Sequence, residues 1–228
     1  PTAGTIFEKT STPLLYWFHA IYLQTTTRNG VSAKELERNF NICYKTALRM
    51  AHQIKKSMAN KDETMLQGIV ECDETFVGGK QYNKHVSTRK KEKVISGTSH
   101  LQPVFGMVTR RDGIVRAKVV DNITADGLRL IMDKEINKSA IIMTDNYRGY
   151  KAIGKLYKEH QTVNHETEEY VNGSAHTNTI EGFWSMLKRT IKGTHIHVSG
   201  KHLQKYVDEV AFRYTHRNNQ DIMFDIIL

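Results

Sequence analysis

The sequence predicts an α/β domain preceded by a small all-helical region, and three observations predict it. Residues 13–59 carry apolar side chains at three- and four-residue spacing. Near Gly68 the pattern changes to the two-residue period of strands. From there the order is three strands, then helices and strands in alternation. The boundary falls at 62/63, giving a helix-turn-helix-like region over 1–62 and the α/β domain over 63–228.

In the first helix, Leu14, Leu15, Phe18, Ile21 and Tyr22 form one apolar stripe. Arg28-Asn29-Gly30 is a turn. Ser32 stands three residues before Glu35, a capping-box start for a short helix to about Asn39. A longer helix runs from Tyr44 to about Met58, with Ala47, Met50, Ala51 and Ile54 inward. Its outer face offers Lys45, Thr46, Arg49, Gln53, Lys55 and Lys56. Two helices around a tight turn fit a DNA-reading motif, and equally a plain helical hairpin with a solvated basic face.

Ile69–Val77 reads as a strand stopped by Gly78-Gly79. The basic stretch 80–100, with Lys80, Lys84, Arg89, Lys90, Lys91 and Lys93, reads as a mobile loop. Val104–Val108 and Ile114–Val120 form a hairpin around Arg111-Asp112-Gly113. Thr124 caps a helix to about Ile136. Ala140–Thr144 is a nearly continuous apolar run, typical of a buried central strand. A short helix over Tyr150–Tyr157, a strand near Gln161–Asn164, and helices from Thr179 to Ile191 and Lys201 to His216 complete the chain. This order suits an RNase H-like domain among several α/β alternatives.

Three acids attract chemistry. Asp73 lies in an otherwise apolar strand and shares a face with Glu71 and Thr75. Carboxylates there are costly unless paired or bound to a cation, or unless the strand is an edge with one wet face. Asp145 ends an apolar run, where α/β sheets place ligands; it also suits a loop cap. Glu181 begins a helix whose apolar stripe is Ile180, Phe183, Trp184, Leu187 and Ile191. From Glu181 a line runs through Ser185, Lys188 and Lys192, suited to a metal and then a phosphate backbone. The competing reading is a capping box closed between Asn178 and Glu181.

Lys and Arg number 33 against 24 acids, a net charge of +9, which favours a polyanionic partner. The two cysteines, Cys43 and Cys72, form no C-x-x-C pair, which fits a reducing compartment. No stretch approaches the roughly 18 apolar residues of a membrane span. No phosphate-binding glycine loop and no G-x-S-x-G elbow occurs. His195, His197 and His202 lack zinc-site spacing and are expected at DNA or in solvent. The chain opens at Pro1 without methionine, as expected of a fragment.

Three blocks carry a resemblance: Cys72-Asp73-Glu74-Thr75-Phe76-Val77-Gly78-Gly79-Lys80, Thr144-Asp145-Asn146-Tyr147-Arg148-Gly149-Tyr150, and His176 through Arg189. They resemble the ISXO2-like insertion-sequence transposases, related to the Merlin group, and the helical segment before them resembles the family too. The resemblance implies an RNase H-like fold and a DDE site of Asp73, Asp145 and Glu181 holding Mg²⁺ or Mn²⁺, two ions in all. It makes Asn178 and Lys188 auxiliary residues. The family's usual cysteine-rich zinc ribbon has no counterpart in this sequence. The implied activity is cutting of transposon ends and joining of the 3′-OH to target DNA. Lys45, Thr46, Arg49, Lys188, Arg189 and Lys192 would then contact double-stranded DNA, at terminal inverted repeats and target. Cutting both ends together implies a homodimer or larger assembly, acting inside the cell on DNA and away from membranes. The alternatives are an RNase H-like nuclease or resolvase without joining, and a domesticated, non-catalytic DNA-binding protein.

Overall fold

The computed structural model describes residues 2–79, 101–163 and 176–228. The basic loop expected over 80–100 and most of the polar stretch before Asn178 lie outside the described residues. Three helices open the chain: α1 (Leu14–Thr26), α2 (Ala33–Phe40) and α3 (Tyr44–Ser57). Ser32 caps α2 by accepting the Glu35 N–H at 3.1 Å. Asn41 ends it in the left-handed conformation, at φ 50°.

Helix α1 buries a different face from the expected one. Trp17, Ala20, Ile21, Gln24 and Thr25 face inward, while Leu14, Leu15, Phe18 and Tyr22 are exposed. Of the expected stripe only Ile21 is buried; both faces carry apolar side chains, so spacing alone did not select between them. The helical core also draws on residues from the far end of the chain: Phe212, Met223 and Ile227 are buried with Trp17, Leu36, Met50 and Ile54.

The sheet contains β1 (Ile69–Val77), β2 (Gln102–Thr109), β3 (Val115–Val119), β4 (Ile141–Asp145) and β5 (Glu159–Val163). Its order is β3-β2-β1-β4-β5. The β1–β2 and β2–β3 pairs are antiparallel, and β1–β4 and β4–β5 are parallel. An antiparallel trio extended by two parallel strands is the RNase H-like arrangement expected from the element order. Helices α4 (Ala125–Glu135) and α5 (Tyr150–Gly154) cover one face through Leu128, Met132, Tyr150 and Ile153. Helix α5 stops at Gly154, three residues before the expected end at Tyr157. The other face is covered by α6 (Asn178–Thr190), a widened π turn at Ile191–His195, and α7 (Gly200–Thr215).

Edge strand β3 is covered by α7, whose side chains complete its hydrogen bonding. Val119 N–H donates to Gln204 Oε1 at 2.7 Å, the Gln204 amide donates to the Ala117 carbonyl at 3.0 Å, and Val115 N–H donates to Thr215 Oγ1 at 3.1 Å. A 3₁₀ turn (Gln220–Ile222) and α8 (Met223–Ile227) then return to α1.

Candidate active site

The central strands place two of the acids side by side. Strand β1 runs parallel to β4 with Ile69, Val70 and Glu71 opposite Ile141, Ile142 and Met143. Continuing that register two residues sets Asp73, in the middle of β1, level with Asp145 at the carboxyl end of β4. The chain winds outward from β1 on one side and from β4 on the other. A crevice at such a switch point is where α/β sheets hold ligands.

Helix α6 crosses the same face of β1. Trp184 Nε1–H donates to Asp73 Oδ2 at 2.9 Å. The ring fits there because β2 carries Gly106 opposite Asp73; a Cβ at Gly106 would run into the indole. Glu181, exposed on the first turn of α6, accepts from the Thr177 hydroxyl at 3.2 Å. The Asp73 carboxyl is pushed up to about 6, mainly by burial, with the negative charges of Asp145 and Glu181 adding to the rise and the Trp184 bond opposing it. The three predicted acids therefore share one electrostatic neighbourhood.

The capping box between Asn178 and Glu181, the competing reading of Glu181, does not form. Thr177 is the cap residue, so Asn178 is already helical and Glu181 lies one position too far along. Asp145 does cap a turn, accepting the Tyr147 N–H at 3.1 Å. That bond leaves its second oxygen for the crevice, so turn-capping and ligand roles are compatible.

The cap of α6 comes instead from a residue whose role the sequence did not reveal. Glu71 is fully buried on β1. Its carboxylate accepts from the backbone N–H groups of Thr179 at 2.9 Å and Ile180 at 3.0 Å, and from the Thr179 hydroxyl at 2.9 Å. Arg110 Nε–H donates to it at 2.9 Å, and His176 Nδ1 stands 3.4 Å away. An anion at a helix N-terminus satisfies otherwise orphaned N–H groups and complements the dipole. The available signal was the density of acids at 71, 73 and 74, since a buried carboxylate needs donors. Glu74 points to the opposite face, where the Tyr150 hydroxyl donates to it. Burial first, then the charges of Asp73 and Asp145, push the Glu74 carboxyl up to about 7.

Carboxylate oxygens suit a hard divalent cation. Asp73, Asp145 and Glu181 have the donor chemistry for Mg²⁺ or Mn²⁺. Among the described residues, no three His, Cys, Asp or Glu side chains close into a ready coordination shell.

The expected DNA-facing residues lie in two places. Lys45 and Arg49 are exposed on α3, with Thr46 half-buried between them. Lys188, Arg189 and Lys192 are exposed beyond Glu181, and Asn178 is exposed at the start of α6. Two expectations fail. Lys55, placed on the outer face of α3, is buried and pairs with Glu209 of α7 at 2.6 Å. His195 turns inward, 3.8 Å from the same carboxylate, rather than toward DNA or solvent. Arg213 and Gln24 also bond Glu209, the former at 2.6 Å.

Comparison with known proteins adds three findings. The ISXO2-like transposase domain matches residues 65–215. A protein of Halobacterium salinarum, described as an uncharacterized protein in transposable element ISH50, is 29% identical over 222 residues, covering 92% of this chain and 72% of that protein. A chain from the simian T-cell lymphotropic virus intasome in complex with PP2A regulatory subunit B56 gamma aligns with a TM-score of 0.37 and 16% identity. That alignment covers 77% of this chain and 63% of the viral complex's chain. Among the described residues, no helix is long and apolar enough to cross a membrane.

Proposed function

Because the chain belongs to the ISXO2-like transposase domain family, we propose that it is a DNA transposase that cuts transposon ends and joins the freed 3′-OH to target DNA. The observation that supports the reading is that Asp73 and Asp145 stand on the neighbouring strands β1 and β4 while α6, which begins with Glu181 in its first turn, is tied to Asp73 through Trp184. Two divalent ions, Mg²⁺ or Mn²⁺, held by these carboxylates would neutralise charge on the scissile phosphate and activate the attacking oxygen.

The chain's own residues supply orientation. Trp184 fixes one oxygen of Asp73, and the Tyr147 amide fixes one of Asp145. Lys188, Arg189 and Lys192 continue from Glu181 as exposed cations suited to flanking phosphates, with Asn178 an auxiliary polar group. Lys45, Thr46 and Arg49 present a second basic surface suited to reading terminal inverted repeats. Cutting two ends in concert calls for a homodimer or larger synaptic assembly. The protein acts on double-stranded DNA inside the cell.

The test is divalent-metal-dependent cleavage of DNA carrying the element's terminal repeats, followed by a search for joined products. Asp73→Ala and Asp145→Ala are expected to abolish cleavage while preserving the fold. Full cleavage by either variant would refute the assignment. Cutting without joining would make the protein a nuclease or resolvase instead. Metal and DNA binding without cleavage would mark a domesticated DNA-binding protein.

A further inference from the structure

We propose that Glu71 is the positioning residue of this site: by capping α6 from within β1, it sets where Glu181 stands relative to Asp73. The inference rests on the reading of Asp73, Asp145 and Glu181 as one site, and it adds a fourth acid with a different task. Glu71 and Asp73 lie two residues apart on the same face of β1. The amides that Glu71 holds, those of Thr179 and Ile180, immediately precede Glu181. The path from Asp73 to Glu181 through Glu71 therefore crosses two strand residues, one carboxylate and one helix residue.

The Thr177 hydroxyl donates to Glu181, while the amides of Thr179 and Ile180 are capped by Glu71 from a different element. Its two oxygens accept from Thr179, Ile180 and Arg110, and it is wholly buried. This satisfies the carboxylate and turns it away from any ligand role, despite its nearness in sequence to Asp73. Arg110 extends the brace: its guanidinium also donates to the His176 carbonyl at 2.8 Å, holding the chain just before the helix. The Trp184–Asp73 bond ties the next turn of α6 to the same strand. Two anchors on one strand define both the height and the rotation of the helix that presents Glu181.

The experiment compares the full chain with Glu71→Gln and Glu71→Asp. A carboxamide keeps the volume but removes the charge, and with its oxygen kept on the two helix amides its N–H₂ group faces the Arg110 Nε–H donor, loosening the brace. Thr179→Val, which removes only the hydroxyl bond, serves as the milder variant should Glu71→Gln not fold. Three quantities are read: amide exchange at Thr179 and Ile180, Mn²⁺ affinity by calorimetry, and single-turnover cleavage at saturating DNA. For Glu71→Gln, exchange at the two amides is expected to accelerate and Mn²⁺ affinity to fall roughly tenfold. Cleavage should fall roughly 10²-fold, as for an ångström-scale misplacement. The DNA concentration for half-saturation should stay within about twofold of wild type, the uniform-binding component being untouched. Glu71→Asp, which keeps the charge, should recover part of each loss, and Thr179→Val should show smaller losses in the same direction.

Wild-type Mn²⁺ affinity in Glu71→Gln, or Glu71→Asp no better than Glu71→Gln, overturns the proposal. If the wild-type chain binds Mn²⁺ but does not cleave, the transposase reading fails, and the exchange and affinity comparisons still decide the role of Glu71. Absence of Mn²⁺ binding by the wild-type chain overturns both.

Discussion

Asp73 holds its proton to about pH 6 because burial strips water from the carboxyl while Asp145 and Glu181 set negative charge against its ionisation. A carboxyl whose folded pKa is raised binds its proton more tightly in the folded chain than in the unfolded one. Between about pH 4 and 6 the folded state therefore carries more bound protons, and stability falls as pH rises. The penalty is complete above about pH 6. Asp73→Asn removes it, so the metal-free variant is expected to be more stable than wild type at pH 7 by on the order of 2 kcal/mol, with partial exposure discounted. The advantage should vanish near pH 4. Saturating Mg²⁺ should stabilise wild type at pH 7 and leave Asp73→Asn nearly unchanged. Thermal melts across this pH range check both statements, and equal pH slopes in the two proteins would contradict them. The cost of these charges was legible in the sequence, since an acid inside an apolar strand demands a partner. The partner of Glu71 was not, because a helix N-terminus 108 residues away leaves no local trace.

At the scale of elements, α3 and α7 are joined by buried charge rather than by apolar contact alone. Glu209 on α7 takes Lys55 from α3 at 2.6 Å, Arg213 from its own helix at 2.6 Å, and Gln24 from α1. The two cations hold the Glu209 carboxyl down to about 2 despite its burial. Its contribution to stability is thus full above the ordinary carboxylate range and is lost as pH falls toward 2. Gly30 completes the packing: it sits at φ 70°, and a Cβ there would strike Glu209, Arg213 and Gln24. Removing one partner from such a group strands the others without water. Glu209→Ala is expected to cost about 3–5 kcal/mol in denaturant unfolding, whereas Lys55→Met, which trades the cation for an apolar stem, should cost less. Equal costs would show that the charge of Lys55 supplies the stability. Helical spacing placed Lys55 with the basic outer residues of α3, and it is the one that Glu209 draws inward. Strand Ile69–Val77 was legible to the residue, because alternation and the terminal Gly78-Gly79 are local signals. The inward face of α1 was not, because it is chosen by what packs against it.

Across the whole molecule, the helix that presents Lys45 and Arg49 and the helix that presents Glu181 are linked through α7, which contacts both α3 and α6. The helical core is closed by the chain's last residues, with Met223 and Ile227 buried beside Trp17 and Met50 and Phe224 packed against them. The matched domain ends at 215, so this closing segment lies beyond it while completing the core of the part before it. Deleting residues 218–228 removes three large apolar side chains from that core, at about 2–5 kcal/mol for each that is fully buried. The loss exceeds what a small helical region can absorb. The truncated chain is expected to lose amide protection in α1 and α3. Its salt-dependent affinity for DNA should weaken, because a disordered α3 no longer holds its cations in one array. The acid site should fare differently, since β1, β4 and α6 are packed by Val104, Ile142, Phe183 and Leu187 within the sheet domain. Mn²⁺ binding should then survive the truncation that weakens DNA binding. Unchanged protection in α1 and α3 would show instead that the helices fold without the closing segment. Loss of Mn²⁺ binding alongside DNA binding would show that the brace through α7 carries disorder from one end of the molecule to the other.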